Sequence, residues 1–310
     1  MKHAILGAGA IGGLVAAALA DEGEHVTLLV RPQTRTRYSG KLHLKRPHDT
    51  IEATVGIDTR LVEPVDVLWV AVKSHQLVEA LRAIPPKAVI GTIVPLLNGI
   101  EHVSLLRWLF TYHRVVPATI FVSAERVAPG RFVQRSPFAK LAISMIGEQK
   151  LHGVAVRLRH WGFSCEFQAD EKTMLWHKLA FLAPFALVGT ASDKDKQGIF
   201  ADATWRTRLK FAVGEVCAAA AADGAVVDRE EILGMLQSLP SAMQSSMQKD
   251  VSAGLTPELD AIGGAIIRAA RNHGFGVPAT HKLVAEIQER LKSAAGNHRH
   301  GTTTIDSKRG

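Results

Sequence analysis

The chain has 310 residues and a formal net charge of +8, with 47% hydrophobic and 6% aromatic side chains. That length suits one large domain or, more naturally, two, and the composition is that of an ordinary globular protein. Basic side chains spread along the chain with few aromatics argue against nucleic-acid binding and are explained by anionic ligands, while Cys165 and Cys217 supply neither a disulfide framework nor metal-ligand spacing.

The N-terminal thirty residues carry the densest pattern. His3-Ala4-Ile5-Leu6 is an apolar run of strand length, Gly7-Ala8-Gly9-Ala10-Ile11-Gly12 is a G-x-G-x-x-G, and Gly13 to Ala20 has helical composition. Gly23 closes that helix, and Val26 to Val30 is a second β-rich run ending on Arg31. Strand, glycine turn, helix and strand in this order are the context of a dinucleotide site. Gly7 permits the tight turn, Gly9 lets backbone approach a pyrophosphate, and Gly12 lets helix and strand pack closely. The anion would lie at the helix N-terminus, where free N–H groups and the dipole favour it. A Gly-rich turn without a ligand is the competing reading, and the spacing of the two strands weighs against it. A carboxylate after the second strand would bind the ribose 2′-hydroxyl of NAD; an Arg accommodates a 2′-phosphate. The residue here is Arg31, followed by Arg35 and Arg37, with no acid before Asp49. NADPH is therefore expected rather than NADH, unless Arg31 is merely a solvated loop charge.

Further along, the chain is polar and basic to about Asp49, and Ile51 to Val55 alternates like a strand. Asp66 to Val72 has the composition of a buried parallel strand and ends in Lys73. A helix is expected from Leu77 to Ile84, stopped by Pro85-Pro86, then an apolar strand from Ala88 to Leu97 ending at Asn98-Gly99. Glu101 to Phe110 reads as helix and Val115 to Ala124 as strand. After the Pro129-Gly130 turn, Arg131 to Val133 and Lys140 to Ile146 look like paired strands, and Leu151 to Trp161 like an amphipathic helix. Strands alternating with helices predict an α/β fold with a doubly wound parallel sheet of Rossmann type, with ligands outside the strand C-termini near Lys73 and Asn98.

From about Ala169 strand patterns vanish. Helices are expected near Lys172–Val188, Ala203–Asp223, Arg229–Gln237, Pro257–His273 and Pro278–Leu291, with Gly224 and Gly274 at helix C-termini. Asp228 opens one of them with acid three residues later. The domains are thus 1–168, a Rossmann-type domain, and 169–292, an all-helical one, followed by a Gly/Ser/Thr-rich tail over 293–310 expected to be disordered. His298 and His300 in that tail could bind metal, but two histidines in a tail usually mean nothing, and no metal site is expected elsewhere. The N-terminus enters a strand at once, so no secretory leader is expected. The charge-free run Leu179 to Ser192 is too short to span a bilayer. A soluble, cytoplasmic protein with no membrane partner is expected.

Three positions in or beside these elements draw notice. Lys178 sits in the apolar helical stretch Leu175 to Leu182. Burial would lower its pKa and suit it to donate a proton near neutral pH. Composition alone favours a lysine whose head reaches water. Glu258 follows Thr256-Pro257, an N-cap and first-position pair that puts it in a first helical turn, where the dipole alone explains an acid. Asn98 could orient a nicotinamide carboxamide, or simply form an Asn-Gly turn. Ser246, one turn before Asp250, is unremarkable by itself.

Together these positions resemble the ketopantoate reductase (2-dehydropantoate 2-reductase) family over about residues 1 to 292. The likeness rests on Gly7–Gly12, Arg31, Lys73, Asn98-Gly99, and Ala124 before Pro129-Gly130. It also rests on Trp176-His177-Lys178-Leu179, on Ser245-Ser246-Met247, on Glu258-Leu259-Asp260, and on Gly263, Gly274 and Val277-Pro278. The resemblance implies an NADPH-dependent oxidoreductase of pantothenate biosynthesis. Lys178 would be the general acid and a substrate ligand, with Glu258 holding cofactor and lysine. Asn98 and Ser246 would bind substrate, and Lys73, Asn98 and Ala124 would line the cofactor groove. The helical domain would be of the 6-phosphogluconate dehydrogenase type and would serve substrate binding and dimerisation, so that the partners are a 2-oxo acid and a second copy in a homodimer. The resemblance reverses the local balance on Lys178 and Glu258. It departs from the family at Leu182 and Ala186, where two substrate-binding asparagines are common, and at Gln197, where a third aligns. A reductase of a less polar 2-oxo acid, or an NADPH-binding sensor without turnover, are the implied alternatives.

Overall fold

Lys2–Leu6 (β1), Ala10–Asp21 (α1) and His25–Leu29 (β2) form the strand, helix and strand of the N-terminal pattern in the computed structural model, which describes residues 1–110 and 114–300. There follow Lys41–Lys45 (β3), Thr50–Thr54 (β4), Gly56–Asp58 (β5), Val65–Val70 (β6), Leu77–Leu81 (α2), Val89–Pro95 (β7) and His102–Leu109 (α3). Ala118–Phe121 (β8), Ala124–Ala128 (β9), Arg131–Gln134 (β10), Ala139–Ser144 (β11), Glu148–Trp161 (α4) and Phe163–Gln168 (β12) come next. These elements lie in the first of two units, Met1–Leu175; the second is Trp176–Gly310.

The first unit is built on a five-stranded parallel sheet in the order β5-β2-β1-β6-β7. β1 is central, with Ile5 in register with Leu28 on one side and Trp69 on the other. Ala4, Ile5, Leu28, Val67, Leu68 and Trp69 are buried, as a parallel strand run covered on both faces requires. A second sheet, in the order β4-β3-β10-β9, packs on α1. Gly13 makes that packing possible: a Cβ there would stand 2.1 Å from the ring of Phe132. β3 escapes the sequence reading because the stretch is read as polar and basic, although Leu42 and Leu44 alternate with Lys41, His43 and Lys45 as in a half-buried strand.

The expected pairing of residues 131–133 with 140–146 does not form. β10 pairs with β9 and β3, whereas β11 joins a third sheet, β12-β11-β8. The connection is tied to itself instead: the Gln134 amide donates to Ser136 O at 2.9 Å and the Ser136 hydroxyl to Phe138 O at 2.6 Å. Those bonds, with Pro137 lacking an N–H, steer the chain out of a hairpin.

The second unit holds Glu171–Ser192 (α5, which starts in the first unit), Lys196–Ala201 (α6), Ala203–Ala222 (α7), Arg229–Gln237 (α8), Ser246–Ser252 (α9), Ala265–Asn272 (α10) and Pro278–His300 (α11). No strand occurs among its described residues. Asp195, Asp202, Asp228 and Ser245 cap α6, α7, α8 and α9 through their side chains. Gly224 and Gly274 take positive φ just past helix ends, as expected from sequence. Glu215 on α7 accepts the N–H groups of Ala279 and Thr280 at 2.7 Å each, so a carboxylate satisfies the start of α11. The contact boundary falls seven residues after the sequence-based one. The first turn of α5 belongs to the first unit: Met174 and Leu175 pack with Val103, and Glu171 pairs with Arg107 at 2.7 Å. The segment read as a tail, 293–310, is helical as far as His300, and its last ten residues lie outside the described ones. α5 is long and apolar enough to cross a membrane by length and composition, but 78% of its apolar window is buried within the protein.

His3 marks how strictly the sheet excludes charge. Its imidazole is fully buried, accepts the Trp69 indole N–H at 3.2 Å, and has its pKa lowered from 6.5 to about 4 by desolvation, against the opposing pull of Glu24. The unfolded chain therefore takes up a proton first as pH falls. The stability that neutral His3 contributes is complete above pH 6.5 and declines toward pH 4, by at most about 3 kcal/mol. Denaturant titrations across that range in the wild type and in His3→Gln should show the slope with pH reduced in the variant.

Candidate active site

Four of the positions singled out in the first unit stand at one edge of the parallel sheet. The glycine turn leaves β1, Arg31 follows β2, Lys73 follows β6 and Asn98 follows β7, all at strand C-termini. Gly7 has φ +111 and a Cβ there would meet Ala71 O at 2.8 Å, so the turn lies directly over the end of β6. Gly12 is still more constrained, because a Cβ would come within 1.9 Å of Gly7 O. Gly9 differs from both: its nearest neighbour would be Ala71 O at 3.8 Å, which leaves open space beside the turn. Gly9 caps α1 with no side-chain bond, and no acid lies in the first turn. The early N–H groups of α1, at Ala10, Ile11 and Gly12, are therefore free of competing carboxylates, and the open side of Gly9 fits a phosphate.

Arg31 is exposed, and its backbone is held by Thr34, whose N–H and hydroxyl reach Arg31 O at 2.9 and 3.0 Å. The sheet brings one carboxylate near the end of β2, Asp58, which is in register with Leu29. It is turned onto its own backbone, accepting the Thr59 N–H at 2.6 Å. Lys73, Asn98 and Ala124 are half-buried. Gly99 takes φ +83, so Asn98-Gly99 is also a turn in the ordinary sense. Ala124 opens β9 in the second sheet and packs on the same core as Ala8 and Ile11.

The second unit brings Lys178 and Glu258 together. Asp170 starts α5 by accepting the Thr173 N–H at 3.0 Å and its hydroxyl at 2.6 Å. From Met174 on, the helix is mostly apolar and mostly buried within the protein. Lys178 is buried in it, 9% exposed, and Glu258 is 8% exposed. Desolvation lowers the Lys178 pKa from 10.5 to about 8, and the Glu258 carboxylate opposes that shift. Glu258 lies at the cap rather than in the first turn, its carbonyl accepting the Ile262 N–H at 3.1 Å, and Asp260–Gly264 then form a π-helical turn. Gly263 pins that turn: a Cβ would lie 2.5 Å from Val284 and 3.2 Å from Leu187 of α5. Pro184 lies inside α5, six residues beyond Lys178, and offers no N–H to Ala180. Leu182, one turn from the lysine, is half-buried, and Ala186 is fully buried.

Ser246 is the first residue of α9 and is exposed. The described contacts seat α9 at Gly189, where Gln248 Oε1 would be 3.0 Å from a Cβ, about 16 Å along α5 from Lys178. Gln197, exposed on α6, donates its backbone N–H to Ser241 O at 2.9 Å. No group of three or more potential metal ligands occurs among the described residues. Sequence reasoning missed Arg126, on β9, whose Nη1 donates to Ala8 O and to the Tyr38 hydroxyl at 3.3 Å each. The contact with the glycine turn spans 118 residues, and no local pattern announces it.

A parallel sheet with an open glycine turn, joined to a helical unit with a buried lysine and carboxylate, defines the class: a Rossmann-type oxidoreductase. The sequence profile for ketopantoate reductase PanE/ApbA matches residues 3–147, and that for its C-terminal domain matches residues 170–291. A 2-dehydropantoate 2-reductase of Mycobacterium tuberculosis is 31% identical over 292 residues, covering 91% of this chain and 95% of that protein. The corresponding protein of Caulobacter vibrioides is 29% identical over 289 residues, covering 91% and 96%. The chain belongs to the ketopantoate reductase family. Among solved structures, a D-mandelate dehydrogenase with NADH and anilino(oxo)acetate shares the fold, with a TM-score of 0.85 at 21% identity over 94% of this chain and 99% of that one.

Because the Glu258 charge raises the Lys178 pKa, Glu258→Gln should lower it further below about 8. NMR titration of isotope-labelled lysine side chains checks this. An unchanged Lys178 resonance would show that the two groups are not coupled.

Proposed function

We propose that the protein is an NADPH-dependent 2-oxo acid reductase that converts 2-dehydropantoate, or a closely related acid, to the 2-hydroxy acid, with Lys178 as general acid. The observation that carries this reading is Lys178 itself, an ammonium buried in an apolar helix beside one carboxylate, with a pKa near 8. A group of that pKa holds its proton at neutral pH and can release it to a developing alkoxide.

When bound, the nicotinamide cofactor supplies a hydride to the C2 carbonyl carbon of the acid. The chain's own part is to hold both partners and to manage the proton. The N–H groups at the start of α1 and the open side of Gly9 would hold the pyrophosphate, and Arg31 the 2′-phosphate. Lys73, Asn98 and Ala124 would line the nicotinamide side of the groove. Lys178 Nζ would donate a hydrogen bond to the carbonyl oxygen, strengthen it as negative charge develops, and pass its proton to that oxygen. Glu258 would keep the ammonium charged and oriented and contact the cofactor, while Asn98 and Ser246 would bind the acid. The D-mandelate dehydrogenase with NADH supports a nicotinamide cofactor on this fold. The relatives named 2-dehydropantoate 2-reductase support the substrate.

A less polar side chain on the acid is the second reading, favoured by Leu182, half-buried one turn beyond Lys178, where it leans back toward the lysine's turn. Burial of 78% of the apolar window of α5 within the protein supports a soluble rather than a membrane-embedded enzyme, and a cytoplasmic location is part of the same proposal. A homodimer is the proposed working form, in which a second copy would cover exposed apolar side chains such as Phe211.

Steady-state NADPH oxidation with 2-dehydropantoate and with aliphatic and aromatic 2-oxo acids tests the activity; no turnover with any of them would leave only a binding protein. Lys178→Ala should lower kcat by about 10²–10⁴-fold while NADPH affinity changes little, and Lys178→Arg should restore substrate binding better than rate. Near wild-type turnover in Lys178→Ala would assign the proton to another group. NADPH should bind more tightly than NADH by about 1–3 kcal/mol, and Arg31→Ala should remove most of that gap. Equal affinities in the wild type would refute the 2′-phosphate role.

A further inference from the structure

Arg126 ties the glycine turn to the second sheet with one corner of its guanidinium only. It is exposed, and both of its hydrogen bonds leave from the same nitrogen, Nη1, at 3.3 Å. Nε and Nη2 have no partner among the described residues, and no carboxylate there pairs with it. The adjacent Glu125 is taken by Arg135 at 3.0 Å. A guanidinium tethered by one corner keeps its remaining donors available for an anion.

The second sheet determines where that corner is tethered. Arg126 in β9 is the register partner of Phe132 in β10, and side chains directly opposite on paired strands share a face. Phe132 occupies the space that Gly13 leaves on α1. Its neighbour Arg126 therefore projects along α1 to the turn before it and reaches Ala8 O, inside the G-x-G-x-x-G. Tyr38, buried and at the end of the 3₁₀ segment Pro32–Arg37, steadies the other side. The guanidinium thus stands at the lip of a helix N-terminus that has neither acid nor side-chain cap and has open space beside Gly9.

We propose that Arg126 is a cofactor-binding residue, a cationic arm at the glycine turn that would hold the pyrophosphate of the dinucleotide together with the α1 N–H groups. The assignment rests on the dinucleotide reading given above. The pyrophosphate is favoured over the 2′-phosphate because the arm is bonded within the phosphate turn. Arg31 already stands free at the end of β2.

Titration calorimetry on the full chain with NADPH, NADH and ADP separates the possibilities, since all three carry a pyrophosphate and only NADPH a 2′-phosphate. Arg126→Ala should weaken all three by about ten- to a hundredfold. Arg126→Lys should recover part of that loss, whereas Arg126→Gln, which can still donate to Ala8 O without a charge, should not. Thermal midpoints without ligand should stay near wild type in all variants. Unchanged affinities in Arg126→Ala, full rescue by Gln, or a loss confined to NADPH would each overturn the assignment; the last would move Arg126 to the 2′-phosphate. A wild-type chain that binds none of the three ligands would instead overturn the dinucleotide reading itself.

Discussion

The approach of α1 to the chain around it is the constraint on which the first unit depends. At Gly12 a methyl group would sit 1.9 Å from the carbonyl of Gly7, and at Gly13 it would enter the ring of Phe132. No rotamer change relieves the first clash, because both partners are backbone. The helix is thus pressed onto the strand that precedes it on one side and onto the second sheet on the other. The consequence is functional geometry: the helix N-terminus stands at the sheet edge where the ends of β1, β2, β6 and β7 converge, and the strands that carry Ala124 and Arg126 are held against its flank.

The helical unit is organised by an electrostatic compromise. Water is excluded from Lys178 by the apolar walls of α5, which favours the neutral amine, and Glu258 favours the ammonium. Desolvation is the larger effect, but the carboxylate limits it, and the balance falls near neutral pH. That balance depends on packing far from the charges themselves. Glu258 is fixed because the helical turn after it is clamped against Leu187 and Val284 at a residue without a side chain, Gly263. Burying one charge without the other would be strongly unfavourable, so the two belong to a single device.

Local chemistry made much of this legible before any coordinates. The glycine turn, the basic end of β2, the caps at Asp228 and the glycines ending helices at 224 and 274 are short-range signals, each decided by a few neighbouring residues. What escaped was long-range. β3 hides as two leucines among basic residues, and β10 and β11 look like a hairpin until Gln134 and Ser136 are seen holding their connection. The start of α5 has helical character, but only its contacts with Val103 and Arg107 show that it belongs with the first unit. Lys178 was ambiguous by itself because composition does not reveal whether the head of a lysine reaches water; its burial beside Glu258 answers that. Arg126 carried no local signal.

The lock between Gly13 and Phe132 also bears on how the chain is made. The phosphate turn is complete in sequence after twelve residues, yet the strand that secures its helix arrives 119 residues after that helix's second glycine. At about 5–20 residues per second, a ribosome leaves the Gly13 face of α1 without Phe132 for roughly 6–24 s. Through that interval the face of α1 at Gly13 lacks the ring that later covers it. The same close fit that fixes the helix in the finished protein makes this last part of its packing wait on β10.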